Sequence, residues 1–464
     1  MLGIIPLILT TIFGLSLTYI ITKNLDRFER LGLAFILGLG LQTLFMFLFY
    51  LVGIRFTLIN LNLEIIFLTT INILLLFLLK RMSLFLEYIK SFSAMKSQIT
   101  SWIKHKTLVE KLFIYVLSFL ILLSFIIGVY WPVSGWDSLV LFDFRAITFV
   151  ATGGMEDGIA RGYFFGYPLL TSLAHTWLYF FNGNPHLAYW GLYVSFVFIL
   201  YATLSQLTVA VIVIWATFLV AIFLPLYTGS YFDYTNMPYI VYILSGIFYL
   251  LRWHKERKGE FLIVAMILTG LSTWTRETEP FWVINLLFAL IVTLLSFRKD
   301  LIRVFILLIL SFIIFFAIQQ PWKLYETKLI GGPRNITDQA NFGVQAISNL
   351  DFSLLWDIVS TTWTGTVPTW QPFFYISLLA IALNLKKLTK YWLIVGIMGG
   401  NVLLLFFGTY VFSLIWAEGW KGIIESQQRL STFLIPLFII TIVIFSEDHI
   451  KQGIQILKEY FKGR

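Results

Sequence analysis

The stretch Ser134-Gly135-Trp136-Asp137-Ser138-Leu139-Val140-Leu141-Phe142-Asp143-Phe144-Arg145 sets two carboxylates and a guanidinium directly after the apolar run Leu112 to Trp131. A carboxylate where a chain leaves hydrocarbon for water can take a proton from a hydroxyl nucleophile, and a cation beside it can hold an anionic leaving group. Asp137 is therefore the candidate general base, Asp143 a second candidate catalytic carboxylate, and Arg145 a candidate substrate-binding cation. On a continuous helix, positions 137 and 143 lie about 120° apart, so they form no obvious two-carboxylate metal clamp; no cofactor is expected, and a divalent metal is left open. The bland readings stand beside these. Asp137 suits the N-cap of a helix from 138 to 151, and Asp143 and Arg145 suit an exposed ion pair.

Further along, Tyr167 and His175 bring groups that can bond a substrate hydroxyl, although a satisfied structural histidine is the plainer reading. Arg276 ends an apolar run, where it can bind an anion bidentately or complete the end of a helix. Glu277 and Glu279 precede Pro280 and suit either substrate contact or capping. Two late cations, Lys421 and Arg429, complete the set of substrate-binding candidates, with snorkelling as the alternative for Arg429. The tripeptide Asn335-Ile336-Thr337 fits a glycosylation acceptor, a pattern common by chance.

These residues are set among long apolar runs. With 59% hydrophobic and 12% charged residues over 464 positions, the chain cannot bury its apolar surface inside a water-soluble globule. Runs of about 20 residues match a hydrocarbon core of roughly 30 Å, which predicts an all-α polytopic membrane protein with about 13 transmembrane helices. The expected spans are 2–22, 31–53, 58–80, 112–132, 186–204, 207–226, 237–252, 260–274, 280–297, 301–319, 372–385, 391–413 and 428–446. The formal charge of +9 is spread through short loops rather than one patch, so it reads as a topology signal and not as a nucleic-acid surface. No cysteine is present, which excludes a disulfide framework and thiolate metal sites. The first lysine, Lys23, follows the run Leu2 to Ile21, so that run reads as a retained helix rather than a signal peptide.

Segment 80–111 carries Lys80, Arg81, Lys90, Lys96, Lys104, Lys106 and Lys111 against Glu87 and Glu110, and belongs on the cytoplasmic side. The basic positions near 252–258, 298–303 and 386–390, and the C-terminal tail, fall on the same side only if 167–183 does not cross. That piece and 138–151 are expected to lie as helices in the outer interface. The N-terminus is then outside and the C-terminus inside. The outer loops become 132–185, 227–236, 275–279, 320–371 and 414–427, and the first three helices with their linker, 1–111, form an accessory bundle ahead of a catalytic module, 112–464.

A helix at 112–132, an outer loop opening with Trp136-Asp137, interface helices and the step Tyr167-Pro168-Leu169-Leu170 together resemble the membrane glycosyltransferases of the GT-C fold. The likeness is to the protein O-mannosyltransferase and aminoarabinose-transferase branch, which depends on phospholipid carriers. It implies that Asp137 is the catalytic base and that Arg276, closing Gly270-Leu271-Ser272-Thr273-Trp274-Thr275, meets the lipid phosphate. The segment Glu425-Ser426-Gln427-Gln428-Arg429 through Pro436 is similar to the entry of a late family helix, and Ser138 stands where the family has its second acid. The implied reaction moves a sugar from a polyprenyl-phosphate-linked donor to a glycan, lipid or protein acceptor at the outer face, with inversion. Trp363, Trp370 and Trp416 are then candidates to stack on sugar rings, and the long loop 320–371 a candidate lid. The alternatives are a transporter or flippase of lipid-linked saccharides, which would keep charges at mid-membrane, and a ligase moving a whole glycan.

Overall fold

Lipid cannot hydrogen-bond the backbone, so runs that are apolar on every face fold as helices whose amides are satisfied internally. The computed structural model describes residues 2–161, 166–276, 280–330, 344–345, 347–348, 350–415 and 420–462, and no strand occurs among them. The helices used below are α1 (Ile5–Ile21), α2 (Arg27–Leu51), α3 (Leu58–Leu78), α4 (Met82–Ser91), α5 (Met95–Lys104) and α6 (Leu108–Tyr130). Next come α7 (Asp143–Thr152), α8 (Glu156–Arg161), α9 (Leu170–Tyr179), α10 (His186–Leu207), α11 (Ala210–Ala221), α12 (Leu224–Gly229), α13 (Asn236–Glu256), α14 (Gly259–Thr275) and α15 (Trp282–Ser296). The last are α16 (Leu301–Ile330), α17 (Phe352–Gly365), α18 (Phe373–Leu383), α19 (Leu388–Ile415), α20 (Ile424–Leu430) and α21 (Leu434–Lys462).

Among the described residues, 7 helices are long and apolar enough to cross a membrane, and α1, α11, α14, α15 and α18 are shorter apolar helices. The chain is an all-α, multi-pass integral membrane protein. Polar residues fix where the spans begin. Asp26 accepts from the Glu29 amide ahead of α2, Thr57 does the same for α3, and Thr107 with Glu110 forms a capping box at the start of α6.

Burial separates the centre from the rim. The apolar windows of α2 and α10 are 78% buried in the fold, against 11% for α6 and 22% for α16, whose outward faces the described residues leave uncovered. In the interior, α2 lies along α1 and α10, α13 along α14, and α14 along α16. The closest approach is between α1 and α2. A Cβ on Gly14 would sit 1.7 Å from the Ala34 carbonyl oxygen and one on Gly38 2.2 Å from that of Thr10, so only glycine permits the crossing. At one end of the same helices Arg252 of α13, expected as a topology signal, pairs with the buried Glu29 of α2 and with Glu256 at 2.9 Å. The first three helices contribute to the same continuous apolar core as the rest of the chain, through Phe13, Leu33, Phe47 and Leu61 among others.

Between α6 and α10 the chain makes a helix that begins at Trp136 and passes through a π-helical turn into α7, followed by the short α8 and α9. At about 1.5 Å per residue, the ten-residue α9 reaches about half the hydrocarbon thickness. The stretch 320–371 is less of a loop than its composition suggests. Helix α16 continues through Pro321 to Ile330, and α17 with the turn Val367–Trp370 fills most of the rest that is described. Trp370 is fully buried and donates to the Ser431 hydroxyl at 2.9 Å, which corrects its reading as a sugar platform. Trp363 remains partly exposed beside Phe374 and Tyr375. Trp416 and Asn335-Ile336-Thr337 lie outside the described residues.

Candidate functional site

The helix after α6 starts at Trp136, so Asp137 already has helical dihedrals (φ −60°, ψ −31°) and its side chain caps nothing. The capping role expected of it is therefore absent, and the carboxylate is left to face outward. A π-helical turn, Ser138–Phe142, follows and leads into α7. Arg429, near the end of α20, brings Nη1 to 3.6 Å from Asp137 Oδ2, with both side chains close to half exposed. Residues almost three hundred positions apart thus meet at one water-accessible point.

Segment 233–236 joins this pair to the other candidates. The Arg429 guanidinium carbon lies 5.8 Å from the Tyr234 ring centroid. Burial first and the neighbouring Asp137 charge second hold the Tyr234 hydroxyl above the usual tyrosine range. The next two residues bind Arg276, whose Nη1 donates to Thr235 Oγ1 at 3.1 Å and Asn236 Oδ1 at 2.8 Å. Arg276 Nη2 donates to the Tyr167 hydroxyl at 3.1 Å, with the guanidinium 5.2 Å from that ring. Tyr167 in turn accepts from Arg145 Nη1 through its backbone carbonyl at 3.0 Å. Asp137, Arg429 and Tyr234 are therefore linked to Arg276 and Tyr167 through the chain segment 234–236.

Asp143 belongs to a different, interior arrangement. Its Oδ1 accepts from the Tyr179 hydroxyl at 2.6 Å and lies 3.1 Å from His175 Nδ1, while His175 Nε2 lies 2.9 Å from the Tyr189 hydroxyl. The partners define the tautomer. The carboxylate can only accept, so Nδ1 carries a proton and donates to Asp143, while Nε2 pairs with the Tyr189 hydroxyl. Asp143, His175 and Tyr189 are buried, and Tyr179 alone reaches the wall of an open groove of ≈ 490 Å³ beside Val129, Val133 and Asn182. Burial and the hydrogen bond to Asp143 keep the Tyr179 hydroxyl well above the ordinary tyrosine range. Arg145 is fully buried, and desolvation pulls its guanidinium down to about 10. Arg145 and His175, expected to touch substrate, are placed instead to hold other residues in position. The expected Asp143–Arg145 pairing is replaced by the tyrosine and histidine contacts of Asp143.

A second histidine–aspartate pair lies close by. His186 Nδ1 donates to the Trp131 carbonyl at 3.1 Å, and its Nε2 stands 3.5 Å from Asp233 Oδ1, at the long limit of a hydrogen bond. Both side chains are fully buried, as is Ser138. Burial raises Asp233, but the neighbouring His186, Ser138 and His175 outweigh it and leave the carboxyl below its ordinary range, although neither of its oxygens is in hydrogen-bond geometry with a described residue.

Lys421 is exposed on the short turn Trp420–Ile423, in the segment leading to Arg429. Glu277 and Glu279 lie outside the described residues. Sequence reasoning missed Tyr234, Thr235, Asn236, His186, Tyr179 and Tyr189. The only signal for the first three was a polar run, Asp233-Tyr234-Thr235-Asn236, between two apolar segments. No cluster of three or more histidine or acidic side chains suited to a metal occurs among the described residues. Comparison with protein-family models, with curated proteins and with solved structures finds no match.

Proposed function

We propose that the protein is a GT-C-like glycosyltransferase that moves a sugar from a polyprenyl-phosphate-linked donor to an acceptor hydroxyl, with inversion and with Asp137 as general base. The observation that carries this reading is the meeting of Asp137 with Arg429, next to the segment whose residues 235 and 236 hold Arg276. A lipid phosphate leaves readily without a strong acid, so the reaction asks for one base and for cations to receive the departing charge. An accessible carboxylate beside the Arg429 guanidinium, with Arg276 held by the neighbouring segment 235–236, supplies that set. Arg276 and Arg429 are assigned to the donor phosphate, Tyr167 and Tyr234 orient them, and Lys421 adds positive charge at the approach. Asp143 is assigned to positioning through Tyr179 and His175 rather than to proton transfer.

In this reading all thirteen expected spans cross, α7 to α9 lie in the outer interface, and the site opens outward, with the C-terminus in the cytoplasm. A flippase or transporter would keep its polar groups along a path at mid-membrane. A glycan ligase shares the same chemistry with a larger donor.

The test has three parts. Mass spectrometry of lipids copurifying with the protein should find a polyprenyl phosphate or its glycosylated form. Detergent-solubilised protein should transfer labelled sugar from such a donor, whereas a transporter yields no product without two compartments. Tags in 320–371 should report outside and tags in 80–111 inside, and the reverse result would overturn the sidedness and the proposed donor leaflet.

A further inference from the structure

We propose that segment 82–106 is a binding site for the head groups of anionic phospholipids, at the membrane face where α3 ends and α6 begins. Helices α3 and α6 are both long and apolar enough to cross, and α4 and α5 lie between their adjacent ends. Only residues 79–81 and 105–107 connect the pieces, with 92–94 between α4 and α5. Connectors that short hold both helices at the membrane surface.

Packing fixes how they lie. On α4, Phe85 and Tyr88 are buried against the ring of Tyr19 in α1, each with centroids 5.9 Å away, and the Tyr88 hydroxyl donates to the Arg27 carbonyl at 3.0 Å. Arg81 Nη1 donates to the Tyr19 carbonyl at 2.8 Å, so α4 is pinned across the end of α1. On α5, Gln98 bonds Arg27 and Trp102 meets the Tyr201 ring edge-on at 6.0 Å, which ties this helix to α2 and α10. One face of each helix is therefore committed to the protein.

The remaining surface has the composition of an interfacial lipid site. Leu86 and Ile89, one helical turn apart, are 44% and 45% exposed, and Leu84 and Phe92 are exposed as well. The same two helices carry the exposed Lys90 on α4 and Lys96 and Lys104 on α5. Across 80–111, seven basic residues face two acidic ones, a net +5 without His105. Apolar side chains that no protein element covers, interleaved with lysines at a bilayer edge, match acyl chains below and anionic head groups above. Lys106 is engaged with the Trp102 ring at 4.8 Å and with Glu110, so it serves the fold more than the lipid.

The absence of cysteine makes the test direct, because a single introduced cysteine is a unique attachment point. Nitroxide labels at Leu86→Cys, Ile89→Cys and Glu87→Cys are compared in nanodiscs of phosphatidylcholine with and without phosphatidylglycerol. Labels at 86 and 89 should be accessible to oxygen and shielded from a water-soluble relaxant, and the label at 87 the reverse. In parallel, Lys90→Gln, Lys96→Gln and Lys104→Gln are made singly and together, and retained phosphatidylglycerol relative to phosphatidylcholine is counted by native mass spectrometry. Enrichment should fall about fivefold for each lysine removed, the equivalent of ~1 kcal/mol per charge near an anionic surface. Lys299→Gln, in a different basic loop, controls for charge alone and should leave enrichment unchanged. Equal water access at 86, 87 and 89, or undiminished enrichment in the triple variant, would overturn the proposal.

Discussion

Replacing Asp137 by Asn separates chemistry from architecture, because the structure makes the carboxylate structurally dispensable. Its side chain caps no helix, and its partner Arg429 is 3.6 Å away with both groups near half exposure. An ion pair in that setting contributes ~0.2–1 kcal/mol, and the amide keeps the size and part of the polarity of the acid. Unfolding free energy should therefore drop by less than ~1 kcal/mol. Catalysis has more to lose. An asparagine cannot take a proton at neutral pH, and loss of a general base lowers turnover by ~10²–10⁴, a rise of about 3–5 kcal/mol in barrier. The assay is transfer of labelled sugar from a polyprenyl-phosphate donor by purified Asp137→Asn protein, run beside donor binding and thermal unfolding. Donor binding should persist while product formation falls by at least two orders of magnitude. Turnover close to that of the unmodified chain would refute the base assignment. A loss of stability well above 1 kcal/mol would refute the reasoning that the pair is a weak, solvent-screened one.

Arg276→Ala should weaken donor use by ~2–3 kcal/mol if its guanidinium makes a charge-assisted phosphate contact, read as a shift in donor affinity with the fold retained. Asp143→Asn should act mainly on stability, by ~1–3 kcal/mol, since it disturbs the buried bonds to His175 and Tyr179, and Tyr179→Phe should do less; thermal unfolding ranks the two. Glu29→Gln removes one of the two carboxylates that face the buried Arg252, Glu256 remaining at 2.9 Å, so a loss of ~1.5–3 kcal/mol is expected in the same measurement, above that of Asp137→Asn. The folded pKa of Asp233 is depressed, so its stabilising contribution is complete above the unfolded carboxylate value of about 3.9 and is lost as pH falls through the lower folded value. Stability profiles of the unmodified protein and of Asp233→Asn should therefore converge on acidification in that range. Profiles that stay parallel would count against a lowered pKa.

Membrane character and helical class were legible in the sequence because lipid imposes one solution on any long apolar run. The candidate carboxylate and cations were legible for a related reason: charges are costly in hydrocarbon, so those at the ends of apolar runs stand out against a plain background. Short-range polar patterns were an uneven guide: the cap expected of Asp137 is absent, whereas the Thr107–Glu110 box at the start of α6 went unread. Which of the charged residues meet was not legible. Asp137 faces Arg429 across most of the chain, and nothing local to either residue encodes that distance. The tertiary structure also divided Asp137 from Asp143, six positions apart, sending one toward water and the other into a tyrosine and histidine network supplied by α9 and α10. A π-helical turn between them alters the helical phase that a uniform wheel assumes. Likewise Trp370, indistinguishable in sequence from an interfacial tryptophan, became a buried donor to Ser431 because α18 and α21 close over it. Solvent affinity is a property of the local run and can be read residue by residue. Pairing between distant side chains depends on how helices cross, and at α1 and α2 that crossing is set by two glycines whose importance appears only when the opposing carbonyls are in place.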